Sequence, residues 1–458
     1  MTGNRISTGL ALSAALMLTP SAPICGQEGT STGAPAVHLT LPAAVDMAMA
    51  HNHKVELARL SVRDSEEQKR VAQSHFYPVL RNESAVLHIT DLQGIVIPAG
   101  ALGSGTSAGL IPAQTLRIDQ GASTGYSSGT ELSQPMTQLF RVHAGLKAAE
   151  ADLASSRIQA DDTGNTIALQ VHQLYYSYLI EQVEATAAQD AADAAATTET
   201  ENQQSLQEGK LLADAELSSR ATLLDKKRAV LVSKLNLDDL TLQLDDVLGL
   251  PMGTKLVLDP SGLGDSPVLP TRAEAVNEIL QKNPSVLEAQ QGVQKAKAGL
   301  AAARDAYIPD ISGFARDSYQ SGLPFLVHNF GTFGASVTYE LFNGGAREAN
   351  VRDAKVKLSM AETQLAQAED DVRVQVSAAY DKVETLEELV KVVGLTLEAR
   401  EESLRIDVLR AGTEAELPSG VASARSAVTS ARANVLEAKL NLYLAQNNVL
   451  TLLGQRPR

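Results

Sequence analysis

The sequence has no tryptophan, a single cysteine, and aromatic residues at only 4% of its 458 positions. One cysteine, Cys25, cannot close a disulfide within the chain or build a cysteine-based metal cluster. So few aromatics leave little with which to stack nucleobases or sugars. Basic residues number 39 against 54 acidic ones, a formal net charge of −15. That balance argues against nucleic acid as a partner, because a phosphate backbone needs a basic surface. Nor is there any run of about 18 apolar residues of the kind a transmembrane helix requires.

What is present is a globular composition, 44% hydrophobic and 20% charged. The first 26 residues read as a secretory signal: Arg5 supplies the basic end, Leu10 to Leu18 a short apolar run, and Ser21 to Gly26 a small-residue cleavage region. Residues 27–38 then form a linker. Cys25 is a candidate for lipidation, but Ile24 is a poor neighbour for that chemistry, and cleavage after Gly26 would discard it. An exported chain without a membrane helix is either soluble or part of a β-barrel.

The chain is written twice. Val45 and Val276, Asn52 and Asn283, Val55 and Val286, and Pro78 and Pro309 share an offset of 231. Further on the offset is 205, pairing Leu146 with Val351, Leu153 with Leu358 and Gly249 with Gly454. The first copy therefore holds 26 extra residues, which fall in the Gly/Ser-rich stretch from about Gly94 to Gly129. A loop absorbs such an insertion cheaply. The first repeat spans 39–250 and the second 271–455, joined by a Pro/Gly/Ser/Asp-rich linker at 251–270.

Each repeat opens with an amphipathic helix, the first from about Pro42 to Phe76, where Tyr77-Pro78 stops it. Strand patterns follow. Phe333, Ala335, Val337, Tyr339 and Leu341 alternate with small or polar residues, Glu340 among them. The spacing predicts two strands at about 78–137 and two at about 308–343, each long enough to cross a membrane at a tilt. Helical hairpins then occupy 138–250 and 345–453. In the last helix Val421, Ala424, Val428, Ala431, Val435 and Ala438 form a heptad seam, which implies a left-handed supercoil. A helix from Gln138 to Glu208 would be about 105 Å long and needs a coiled partner. Gly209 and Gly412 mark the reversals, where positive φ often serves.

No catalytic or cofactor-binding pattern stands out, so no enzyme activity is expected. His51-Asn52-His53 lies on a helix, without a carboxylate cluster. Gly103-Ser104-Gly105 lacks the lysine of a phosphate loop and reads as a flexible surface loop. The acidic pairs Asp161-Asp162, Asp238-Asp239, Asp245-Asp246 and Asp370-Asp371 read as solvated helix faces, with lumen lining the alternative for some. Glu131 and Glu340 lie near strand ends, facing a lumen or a rim.

The fold class is mainly α with a small β part. Four strands cannot close a barrel in lipid without leaving backbone groups unsatisfied, so several protomers must pool them. The order helix, strand, strand, long helix, long helix, given twice, fits a conduit through an outer membrane. The alternative is a periplasmic coiled-coil scaffold or adaptor without a pore. It shares the heptads and the signal, but it supplies no reason for paired strands of membrane length.

The stretch Leu39 to Val62, LTLPAAVDMAMAHNHKVELARLSV, resembles the opening helix of TolC-like outer-membrane factors. So do Tyr307-Ile308-Pro309, Leu341-Phe342-Asn343-Gly344-Gly345 and the ending Leu452-Leu453-Gly454. The resemblance covers roughly residues 39 to 455. It implies a homotrimer in outer-membrane lipid with a twelve-stranded barrel, and a periplasmic helical tunnel whose tips meet an adaptor and an inner-membrane pump. Carried over by position, the adaptor-contact tips are Gly209, Lys210, Leu211 and Leu212, and Gly412, Thr413 and Glu414. Where the family often carries pore-narrowing aspartates, this chain has Pro418 and Val421. Glu414 and Glu416 are the nearest acids and the candidates for the constriction.

Overall fold

The computed structural model describes residues 37–90, 94–105, 109–110, 112–118, 123–259, 267–322, 327–412 and 417–457. The signal segment and Cys25 lie outside the described residues, as do Thr413, Glu414 and Glu416. In chain order come β1 (Val37–Leu39), α1 (Leu41–His51), α2 (His53–Ser74), β2 (Val79–His88), β3 (Ile95–Ile97), β4 (Ser104–Gly105), β5 (Gly109–Leu110), β6 (Leu116–Ile118) and β7 (Thr124–Pro135). There follow α3 (Leu139–Gln207), α4 (Ala213–Leu248), β8 (Leu256–Leu258), α5 (Arg272–Lys282), α6 (Pro284–Asp305), β9 (Asp310–Ser321), β10 (Asn329–Thr338), α7 (Ala346–Ala411) and α8 (Pro418–Leu452).

The opening helix of each repeat is two helices. Asn52 and Asn283 adopt extended backbone and each accepts a hydrogen bond from the N–H two residues on, at 2.9 Å. Each asparagine therefore ends one helix and caps the next. Ahead of α5, Thr271 and Glu274 form a capping box.

Four strands form one antiparallel sheet in the order β10-β9-β7-β2. Thus β2 and β10 are its edges, each with one side unpaired among the described residues. The inserted stretch is more ordered than a flexible loop: β3 pairs with β6, and β4, which holds Ser104-Gly105, pairs with β5. The stretches read as linkers also contribute. β1 and β8 pair in parallel, and the Tyr175 hydroxyl sits 3.0 Å from the Leu39 carbonyl and 2.9 Å from that of Asp259.

The long helices follow from heptads that need partners. α3 has 69 residues and is about 100 Å long. It packs on α4 and α8 along one part of its length, and on α2 and α6 along the other. α7 packs on α8 and α6. Two apolar clusters sit where α1 and α5 cross these helices, one around Val171, Tyr175 and Leu248, the other around Val376, Tyr380 and Leu453. α8 serves both, through Leu440 and Tyr443 on one side and Ala445 and Val449 on the other. It therefore buries two stripes rather than the single seam read from its heptads.

Gly249 and Gly454 show why the repeat keeps its glycines. Each ends a long helix with positive φ, 69° and 70°. A Cβ on Gly249 would lie 2.8 Å from the His51 Cβ, and one on Gly454 would lie 2.5 Å from the Lys282 carbonyl oxygen. Only glycine meets both demands.

Candidate functional site

Three regions of the chain gather its charged and strained residues: the sheet, the junction at its base, and the helical tips. In the sheet, alternation puts Arg81, Glu131 and Arg316 on one face in a single rung across β2, β7 and β9. The Arg316 guanidinium is 3.9 Å from Glu131 and lies flat over Gly129, where a Cβ would come within 2.7 Å of it. The next rung puts Leu80, Leu132, Ala315 and Phe333 on the opposite face. One face is thus charged and the other apolar at this level.

The structure corrects the reading of the last strand. β10 ends at Thr338, so Tyr339, Glu340 and Leu341 leave the ladder. They form a junction instead. The Arg347 guanidinium lies between the rings of Tyr307 and Tyr339, at 5.3 and 5.1 Å, and donates to the Glu340 carbonyl oxygen at 3.0 Å. Arg141 pairs with Asp310 at the same level, joining α3 to the base of β9. Nothing in the alternation singled out Arg347; its place just after Gly344-Gly345 was the available signal.

At mid-height of α3, His172 is 2% exposed, and its ring lies edge-on to Tyr176, which in turn meets Tyr443 at 5.5 Å. Burial pushes the His172 pKa down to about 4 and raises that of Tyr176. Asp245 also departs from the solvated role read for its pair. It is fully buried, and its Oδ2 accepts hydrogen bonds from the backbone N–H groups of Gly253 (2.8 Å) and Thr254 (3.1 Å). It fastens the turn that follows α4.

The two tips differ. Gly209 has φ +71°, and the Lys210 N–H returns to the Ser205 carbonyl at 2.8 Å, so the α3 end closes through a left-handed glycine. Gly412 has φ −64° and is right-handed helical, against the expectation of positive φ. Leu212 and Leu417, which begin α4 and α8, cannot cap with an apolar side chain. At α8 the acceptor comes from elsewhere: Glu201 on α3 takes the Ser419 N–H at 2.9 Å. Asp190 accepts from the Thr429 hydroxyl at 2.6 Å on the same seam. Sequence reasoning missed Glu201, though an N-terminus opened by leucine and proline signals a missing acceptor. Pro418 fills the first turn of α8, where its lost N–H costs nothing, and Val421 is half-buried.

Among the described residues no group of His, Cys, Asp or Glu could hold a metal ion, and no helix is long and apolar enough to cross a membrane.

Residues 275–455 match the family model described as outer membrane efflux protein. Over its second repeat the chain is thus similar to the outer membrane efflux proteins. Its fold matches that of the open-state MtrE outer membrane channel of Neisseria gonorrhoeae, with 18% identity over 91% of this chain and 89% of that one, at a TM-score of 0.71. The outer membrane protein VceC of Vibrio cholerae matches at 12% identity, over 91% and 97% of the two chains, also at 0.71. CusC matches at 18% identity over 91% and 92%, again at 0.71. No curated protein matches by sequence. Mainly α with a smaller β part, the chain shares the efflux proteins' fold across both repeats, while the family model matches the second.

Proposed function

We propose that this chain is the outer-membrane channel subunit of a tripartite efflux or type I secretion system. It is a passive exit duct, anchored in the outer membrane and reaching into the periplasm. One observation carries this reading: a four-stranded sheet with bare edges at β2 and β10 continues, in the same chain, into helices of about 100 Å. An open sheet of 10- and 12-residue strands is not stable in lipid, because its edges leave backbone groups unpaired. Three copies supply twelve strands and close the barrel; the helices of the same three copies close the tunnel below.

The reading extends to partners. The tips at Gly209 to Leu212 and at Gly412 to Glu414 meet a periplasmic adaptor, and the adaptor joins an inner-membrane pump that supplies the energy. With proline and valine at 418 and 421, Glu414 and Glu416 are the acids nearest the closed end. A coiled-coil scaffold without a pore leaves the charged face of the sheet and its bare edges unexplained.

The test is single-channel conductance of the purified protein in a planar bilayer, with the oligomer measured by light scattering. Discrete openings from a trimer are the expected result. A water-soluble protein that never conducts would remove the channel reading.

A further inference from the structure

At the base of the sheet one arginine is held by rings rather than by a carboxylate. The Arg347 guanidinium lies 5.3 Å from the Tyr307 ring and 5.1 Å from the Tyr339 ring. Its Nη2 donates to the Glu340 carbonyl oxygen at 3.0 Å, and its Nη1 reaches the Tyr339 hydroxyl at 3.4 Å. A guanidinium carries five N–H donors in a planar fork, so donors remain for an anion in that plane. Among the described residues no carboxylate pairs with it. The arginine borders a cleft of about 290 Å³ that also takes in Arg141, Asp310, Glu340 and Asn343. Arg141 and Asp310 neutralise each other. The charges left in the cleft are one guanidinium, Arg347, and one exposed carboxylate, Glu340.

The first repeat shows that the junction closes without this cluster. The offset of 231 carries Tyr307 to Phe76, and the offset of 205 carries Tyr339, Glu340 and Arg347 to Gln134, Pro135 and Val142. There the Gln134 side-chain amide donates to the Phe76 carbonyl oxygen at 3.3 Å, with neither a guanidinium nor a carboxylate at these positions. Both repeats turn from strand into long helix at this level, so the turn itself does not require the arginine, the tyrosines and the glutamate.

Beside the cluster the surface is apolar. Leu341 and Phe342 are 90% and 88% exposed, and Val337 and Phe333 continue the exposed apolar surface along β10. Tyrosine at such a border places its ring toward hydrocarbon and its hydroxyl among headgroups.

We propose that this cleft binds the headgroup of a zwitterionic phospholipid, with the phosphodiester on Arg347, the ammonium on Glu340 and the acyl chains against Leu341 and Phe342. The proposal rests on the membrane reading above and names the lipid class at the base of the barrel. Charge selects the class. One cation beside one anion matches a phosphate joined to an amine, whereas a lipid whose only charge is its phosphate leaves Glu340 unpaired. An arginine stacked between two rings is already oriented, so it loses little rotamer freedom on taking the phosphate.

Lipid retention by the purified full-length protein, read by native mass spectrometry, tests this. The protein is equilibrated in detergent with equal amounts of phosphatidylethanolamine and phosphatidylglycerol. The parent is expected to retain the first about fivefold more than the second, a difference of about 1 kcal/mol. Arg347→Gln should lower retention of both lipids. Glu340→Gln keeps the backbone carbonyl that Arg347 uses, so the junction stays intact while the preference between the two lipids disappears. That variant keeps the test decisive even where Arg347→Gln fails to fold. Equal retention of the two lipids by the parent, or an unchanged preference in Glu340→Gln, overturns the headgroup assignment. So does inorganic phosphate that raises the melting temperature as far as phosphatidylethanolamine does, since the site is then one for a simple anion. In any of these cases channel openings from the same preparation leave the channel reading standing. A protein that neither conducts nor retains lipid removes both.

Discussion

The side-chain amide of Asn52 donates to the carbonyl oxygen of Val247, 195 residues away, at 3.0 Å. The second repeat holds the same bond between Asn283 and Leu452, at 2.9 Å. Each asparagine does three things at once: it breaks a helix, caps the next, and ties the opening helices to the end of a hairpin. The two sequence offsets, 231 for the opening helices and 205 for the hairpins, are thus closed by one contact made twice.

Asn52→Ala should therefore cost about 2–3 kcal/mol, combining a lost cap with an unpaired buried carbonyl. Asn52→Asp keeps the capping oxygen but has no donor for Val247, so it should fall between alanine and the parent. Thermal unfolding in detergent reads both, and Asn283 should behave alike. If aspartate proves as stable as asparagine, the long-range bond contributes nothing.

The tips make opposite predictions for one substitution. Gly209→Ala forces a Cβ onto a residue at φ +71° and should cost about 1–2 kcal/mol of local strain, with no steric clash to relieve. Gly412→Ala sits at φ −64° with only an ordinary contact at 3.4 Å and should be neutral or mildly stabilising. Protease sensitivity at each tip distinguishes them: cleavage should rise near residue 209 alone.

The residues announce some of this architecture and conceal the rest for physical reasons. The glycines at 249 and 454 and the alternation at Phe333, Ala335 and Val337 are legible because a fixed period leaves few alternatives. The helix break at Asn52 is not, because an asparagine within an amphipathic run looks like any exposed polar residue until its long-range partner is known. Asp245 is hidden for a related reason: adjacent acids usually mark solvent, and only the turn at Gly253 and Thr254 explains burying one. At the tips, glycine identity marks a reversal without fixing its hand, so Gly209 and Gly412 differ.

Acid should weaken the fold through His172. Its folded pKa is about 4 and its unfolded value 6.5. Between those values the unfolded chain takes up a proton that the folded chain refuses, so stability falls as pH drops from 6.5 toward 4 and levels off below. The loss approaches about 3 kcal/mol per chain. Asp162 and Glu288, whose pKa values burial raises, act with the opposite sign, gaining stability as they protonate. The difference between parent and His172→Phe isolates the histidine. From pH 7 to 4 the melting temperature of the parent should fall further than that of the variant; equal falls would mean that the ring is not buried in solution.

Glu201 supplies from one hairpin the cap that the other hairpin lacks. Its carboxylate accepts the Ser419 N–H at 2.9 Å, against the positive end of the α8 dipole, and couples α3 to α8 close to the tips. A carboxylate there stabilises the helix start by about 1 kcal/mol, too little to govern the whole fold but enough to bias a local separation of the hairpins. Glu201→Ala should therefore leave the melting temperature nearly unchanged while raising the frequency or size of channel openings in a planar bilayer. Glu201→Gln keeps an acceptor without the charge and should lie between. Thr429→Val, which removes the neighbouring bond to Asp190 on the same seam, should act in the same direction. If Glu201→Ala trimers conduct as the parent does, the tie is a helix cap alone and the closed end is held by other contacts.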